Sequence, residues 1–243
     1  MKSFSIVIPD QKDITQDQEF FILEQNGITQ EIKIHDYDKI FSVPGLYEEL
    51  LMNKLQCNSP RVMKNVVEFI SKNYFIPITE MSVLEIGAGN GLIGEKLRQL
   101  DVPHLVGQDI SQIACDAAMR DQPKIYDKYI VGDLSDSNGE VFSKLKDTSS
   151  INCLIAVGSL GFSDISTKGF SNALNIVEPG GLLAISIKEE FLLSDNQTGF
   201  GKFIDSLISE NFLEKICEIR YVHRLATSGK PIFYIVLCCR KLR

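Results

Sequence analysis

The stretch Gly87-Ala88-Gly89-Asn90-Gly91 constrains this chain more than any other. It follows a buried-strand run, Met81 to Ile86, and precedes Leu92, Ile93, Leu97 and Leu100, which recur at helical spacing. A strand that ends in glycines and turns at once into a helix opens an α/β sheet of the nucleotide-binding kind. Glycine permits the tight turn and the close backbone approach that such a bend requires. The spacing narrows the ligand further. A dinucleotide loop, G-x-G-x-x-G, would place glycine at 92, where Leu92 stands. A phosphate loop would continue into Gly-Lys and a hydroxyl residue, and none follows. Glu85, two residues before the first glycine, would repel a pyrophosphate but suits a cationic amine or sulfonium.

Acidic residues recur at the next two strand ends. Asp109 closes the run Leu105 to Gln108, 22 residues after Gly87, where a carboxylate accepts both ribose hydroxyl hydrogens. Gly132-Asp133-Leu134 follows the short run Tyr129 to Val131. There Asp133 suits an adenine amino group, and the next backbone N–H suits a ring nitrogen. Each has a plainer reading: Asp109 as the cap of the following helix, Asp133 as a turn residue. Their shared order and spacing favour the ligand.

The remainder alternates strand-like and helix-like segments. Asn152 to Val157 reads as a fourth strand, and Gly181 to Ile187 as a fifth after the turn Pro179-Gly180. Phe170 to Val177 and Gly201 to Asn211 read as helices. Two strands, Leu213 to His223 and Pro231 to Cys239, close the chain. Their connection, Arg224 to Lys230, is short enough to require an antiparallel pair. The expected fold is therefore α/β, a largely parallel sheet with an antiparallel last strand. Before it lies a preface. Asn26-Gly27 between Phe20-Phe21-Ile22-Leu23 and Ile32-Lys33-Ile34 predicts a hairpin. Helices are expected from Gly45 to Leu51 and from Ser59 through Tyr74. The predicted organisation is an N-terminal hairpin and helical cover over 1–78 and a ligand-binding domain over 79–243.

Composition bears on partners. The 243 residues carry a formal net charge of -7, and no basic run precedes Arg240-Lys241-Leu242-Arg243. This disfavours a nucleic-acid substrate. Six cysteines without a C-x-x-C pair suggest free thiols in a reducing, cytoplasmic setting. The longest apolar run, Ile232 to Cys239, is far below the roughly 20 residues of a membrane span. With three histidines, His35, His104 and His223, no metal site is expected.

Val83-Leu84-Glu85-Ile86-Gly87-Ala88-Gly89-Asn90-Gly91 resembles motif I of class I S-adenosylmethionine-dependent methyltransferases. Gly107-Gln108-Asp109-Ile110-Ser111 resembles their second-strand acidic motif, Gly132-Asp133-Leu134 their adenine motif, and Glu178-Pro179-Gly180-Gly181-Leu182-Leu183 their turn into the fifth strand. The resemblance covers residues 80 to 240. Within the superfamily, Val157-Gly158-Ser159-Leu160-Gly161 is similar to the Williams–Beuren region methyltransferase-like branch, and the N-terminal hairpin to uncharacterised bacterial-type relatives. The resemblance implies a Rossmann-like sheet of order 3-2-1-4-5-7-6. It implies S-adenosylmethionine as cofactor, held by Glu85, Gly87, Ala88, Gly89, Asn90, Gly91, Asp109, Ile110, Asp133, Leu134, Val157 and Gly158. Tyr37 and Tyr47, after the hairpin, are candidates to fold over it, with ordinary packing as the competing reading.

Methyl transfer from a sulfonium needs alignment and exclusion of water, and a base only where the acceptor holds a proton. No catalytic signature is obvious. Lys188, Glu189 and Glu190 follow the fifth strand on the expected ligand edge, and His223 and His35 are candidate bases; His104 reads as structural. After the fourth strand the Asn/Asp-Pro-Pro-aromatic motif of resembling amino-group enzymes is missing. A small-molecule acceptor is the first expectation. Protein methylation, a non-catalytic cofactor-binding module and, against Leu92, a nicotinamide enzyme are the rivals.

Overall fold

A computed structural model describes residues 4–11, 14–74, 76–137, 139–148, 150–162 and 164–243. The chain forms two compact units, residues 1–58 with 222–232, and residues 59–221 with 233–243. The sequence places its boundary at residue 78, whereas compaction changes at residue 58.

In the first unit, β1 (Phe4–Val7), β2 (Phe20–Gln25) and β3 (Ile28–Lys33) form an antiparallel sheet in that order. The Asn-Gly turn lies where it is expected: Gln25 pairs with Ile28, and Asn26 and Gly27 adopt φ of 53° and 77°. That is the doubly left-handed turn whose twist matches the strands. A short helix α1 (Tyr37–Ser42) and a π-helical turn, Glu48–Lys54, follow. Phe21, Leu23, Ile32, Ile40, Leu46 and Leu50 make their common core. A buried ion pair joins Glu19 to Arg224, Nη2 to Oε2 at 2.6 Å, and Thr227 N–H donates to the other Glu19 oxygen at 2.6 Å. Neither β1 nor α1 is anticipated from sequence; β1 is four residues long, and only Ile6 of it is buried.

The second unit begins with α2 (Ser59–Asn73). Then come β4 (Ser82–Ile86), α3 (Leu92–Arg98), β5 (His104–Asp109), α4 (Gln112–Asp121), β6 (Lys128–Val131), α5 (Glu140–Lys146), β7 (Ile151–Val157), α6 (Thr167–Leu174), β8 (Val177–Lys188) and α7 (Phe200–Ser209). The chain closes with β9 (Leu213–Leu225) and β10 (Pro231–Lys241), whose joined ends belong to the first unit. The sheet order is β6-β5-β4-β7-β8-β10-β9, which numbered along this sheet is 3-2-1-4-5-7-6. β4 pairs in parallel with β5 and β7, and β10 runs antiparallel to β8.

Both faces are covered, so the central strands are mostly apolar, with Glu85 and Gln108 as buried exceptions. Leu84, Ile86, Leu154 and Ala156 face one core; Val83, Cys153 and Ile155 face the other, where Met63, Val66, Val67 and Ile70 of α2 pack. This packing draws α2 into the second unit. Two segments differ from expectation. β8 starts at Val177 and incorporates Pro179 and Gly180 (φ 86°), with a register shift between Ile151↔Val177 and Cys153↔Leu182. The expected turn is thus an irregularity within the strand. β9 runs two residues past His223, to Leu225.

Candidate functional site

The glycine loop sits at the carboxyl end of β4, between parallel neighbours β5 and β7. Gly87, Gly89 and Gly91 have φ of 64°, 54° and 87°, a region that other residues enter only at a cost. The bend is tied down on every side. Ala88 N–H donates to the Gln108 carbonyl (2.9 Å), and Gly91 N–H donates to that of Ala88 (3.1 Å). Ser159 Oγ donates to the Ile86 carbonyl at 3.2 Å. A Cβ on Gly87 would lie 2.3 Å from Ser159 Cβ, so these two residues can meet only because one is glycine.

Asp109, at the end of β5, holds the loop directly. Its Oδ2 accepts from Gly89 N–H at 2.9 Å, and its Oδ1 from Ser111 N–H at 3.0 Å. Ser111 itself caps α4, its hydroxyl accepting from Ala114 N–H at 3.3 Å. The helix-cap role weighed for Asp109 therefore falls to Ser111. Beside Asp109, Ile110 is 69% exposed, an apolar side chain standing in solvent at the carboxyl edge of the sheet. Asn90, by contrast, is buried.

Glu85 is 1% exposed, and its Oε2 accepts from the Tyr126 hydroxyl at 2.9 Å. Burial, opposed by the Tyr126 hydrogen bond and reinforced by the charge of Asp109, pushes its carboxyl up to about 8. At neutral pH this group keeps its proton. Neighbouring Gln108 donates through Nε2 to the Gly132 carbonyl (2.7 Å), and its buried Oε1 has no hydrogen-bond partner among the described residues.

Asp133 forms a closed turn. Ser135 donates to it from both N–H and hydroxyl at 2.7 Å, and these bonds hold the carboxyl below its ordinary range. Leu134 is core, its carbonyl accepting from Asn172 Nδ2 at 2.8 Å. Val157 ends β7; Gly158 (φ 64°) follows and donates to the Ser186 carbonyl at 2.9 Å. In the turn beyond, enclosure by protein and then the charge of Asp109 raise the carboxyl of Asp164, although the residue still reaches solvent.

The candidate acid–base residues are committed elsewhere. Lys188 pairs with Glu190, and its ammonium lies 5.1 and 5.6 Å from the Phe162 and Phe191 ring centroids. Glu189 takes a two-pronged ion pair from Arg220 at 2.7 and 3.0 Å. His223 belongs to the first unit and is pushed down to about 3 by burial, then by the charges of Arg224 and His35; its Nδ1 lies 4.0 Å from Cys57 Sγ. An imidazole held neutral this firmly is a weak base. His35, Tyr37 and Tyr47 are also in the first unit, in an aromatic cluster with Phe41: Tyr37 stacks on Phe41 at 5.9 Å and lies 6.5 Å from Tyr47. His104 opens β5 on the opposite edge.

Tyr126, Tyr129 and Ser159 escape the sequence reading of the site. Two glycines signal the tyrosines. A Cβ on Gly94, inside α3, would come within 2.8 Å of Tyr126, and one on Gly107, inside β5, within 2.9 Å of Tyr126 and 3.0 Å of Tyr129. Glycine inside a helix or strand marks such an approach.

No protein-family model matches the sequence, and neither does any curated protein. Many solved structures share the fold. The N-methyltransferase NodS from Bradyrhizobium japonicum, in complex with S-adenosyl-L-homocysteine, is 12% identical, with a TM-score of 0.57 over 85% of this chain and 97% of its own. A SAM-dependent methyltransferase from Anabaena variabilis is 11% identical, with a TM-score of 0.53 over 74% and 85%. The CurJ carbon methyltransferase is 16% identical, with a TM-score of 0.52 over 76% of this chain and 54% of that one. The architecture is that of these Rossmann-like methyltransferases.

Proposed function

We propose that the chain is a class I S-adenosylmethionine-dependent methyltransferase acting on a small-molecule acceptor in the cytoplasm. The observation that carries this reading is the joining of Gly89 to Asp109 beside an exposed Ile110. An acceptor-only carboxylate, set by two backbone N–H groups, suits the hydroxyls of a ribose. Ile110 offers an apolar platform for the attached base. The left-handed glycines keep side chains away from the methionine end; Glu85, holding its proton, supplies no charge to attract the cation, so the reading rests on the loop and Asp109. Bound there, the cofactor supplies an electrophilic methyl group. The protein's part is to fix the nucleoside, orient the sulfonium and exclude water. Similarity in fold to N- and C-methyltransferases supports the reaction class and leaves the acceptor atom open. The finer placement beside the Williams–Beuren branch rests on Val157 to Gly161 alone.

A second reading has its own support. Lys188 and Glu189 are ion-paired and His223 is part-buried and held neutral, so none of these three is poised as a base. That favours either an acceptor needing no deprotonation or a module that binds the cofactor without turnover. Calorimetry decides the first question. S-adenosylhomocysteine is expected to bind and NAD not to; Gly89→Arg is expected to abolish binding, and Asp109→Asn to weaken it by about tenfold or more. Binding of NAD alone, or wild-type affinity in Gly89→Arg, would overturn the proposal. Binding without turnover across metabolite libraries would select the non-catalytic module.

A further inference from the structure

Gly89 is held at both of its backbone polar groups. Its N–H donates to Asp109 Oδ2 at 2.9 Å, and its carbonyl accepts from the Tyr129 hydroxyl at 2.7 Å. Tyr129 lies on β6, two strands from the loop, and reaches it across β5. It passes where β5 has no side chain: Gly107 pairs with Tyr129 on one side and with Glu85 on the other. Tyr126 makes the parallel reach to Glu85, and the two rings meet edge to face at 5.2 Å. Burial pushes the Tyr129 phenol above its ordinary value, so it stays a donor at any physiological pH.

We infer that Tyr129 is a positioning residue for the cofactor, setting the glycine loop through the Gly89 carbonyl while Asp109 holds the same residue by its N–H. The inference rests on the proposed cofactor reading. A glycine with φ of 54° has broad conformational freedom, and two opposed hydrogen bonds restrict it to one setting before ligand arrives. The ligand that depends on this setting is the one whose amino-acid end lies along the loop. A nucleoside lacking that end depends on Asp109 and Ile110 instead.

The test compares two ligands on the full chain by calorimetry: S-adenosylhomocysteine, and 5′-methylthioadenosine, which lacks the amino-acid end. Tyr129→Phe removes one hydroxyl and is expected to weaken S-adenosylhomocysteine by about five- to thirty-fold, and methylthioadenosine by less than about three-fold. Replacement of Tyr129 by 3-fluorotyrosine, which retains the donor, is expected to retain wild-type affinity for both. Equal weakening of the two ligands would show a general structural role and overturn the inference, as would unchanged binding of both. Loss of affinity in the fluorotyrosine variant would also overturn it. If the wild-type chain binds neither ligand, the cofactor reading itself falls, a result distinct from a failure confined to the variant.

Discussion

Gly87→Ala tests the account of the loop through two separable penalties. The first is conformational. Gly87 sits at φ 64°, where an L-residue with a Cβ loses about 1–2 kcal/mol. The second is contact: the new methyl would lie 2.3 Å from Ser159 Cβ and 2.6 Å from Ser159 Oγ, while Ile165 Cδ1 at 3.5 Å is ordinary packing. Forcing a methyl into such a site typically costs about 1–3 kcal/mol. Together they predict a loss of about 2–5 kcal/mol, a drop in melting temperature of about 4–20 °C for a unit of this size. Gly199→Ala is the control. It has φ 75° and nothing within 4 Å of its Cβ, so it carries the conformational part alone. Ser159→Gly removes both clashing atoms, so the double variant Gly87→Ala/Ser159→Gly should be less destabilised than the sum of the single variants by about 1–3 kcal/mol. The chain has no tryptophan, so urea unfolding is followed by far-ultraviolet circular dichroism. Additive losses, or a Gly87→Ala loss no larger than that of Gly199→Ala, would refute the close approach of Ser159 to the loop.

Two further outcomes are expected. Glu85 holds its proton to about 8 in the folded chain, against an ordinary carboxyl value of 4.5. Between those values the folded state binds the extra proton, so this group makes stability fall as pH rises. Glu85→Gln keeps an acceptor for Tyr126 and should flatten the fall; urea midpoints at pH 5 and pH 8 measure it, and a slope equal to wild type would show that Glu85 is ionised. Arg224→Met strands the Glu19 carboxylate, both side chains being 2% exposed, and should destabilise the first unit by about 3–5 kcal/mol. Hydrogen exchange of β2 and β3 amides reads this locally, and unchanged protection would contradict it.

Much of the architecture is legible in the chain itself because its causes are local. Asn26-Gly27 specifies a hairpin turn by the φ angles it tolerates, and both are found there. Gly87, Gly89 and Gly91 announce a left-handed bend, and Leu92 in place of glycine separates it from a dinucleotide loop. Asp109 is legible as the acidic end of the second strand and does end β5, but its bond to the Gly89 N–H is not. Strand β1 is not legible, because four residues with one buried side chain carry little signal until β2 pairs with them.

What only the tertiary structure decided is the state of the polar groups. Glu85 reads in sequence as a carboxylate facing a cation; in the fold it is a buried acid bonded to Tyr126, 41 residues away. His223 reads as a base at a strand end and is instead a neutral imidazole packed in the first unit. Turns and strands follow from φ preference and periodicity, which neighbouring residues determine. Protonation and hydrogen-bond partners follow from burial, which depends on distant segments that meet only after folding.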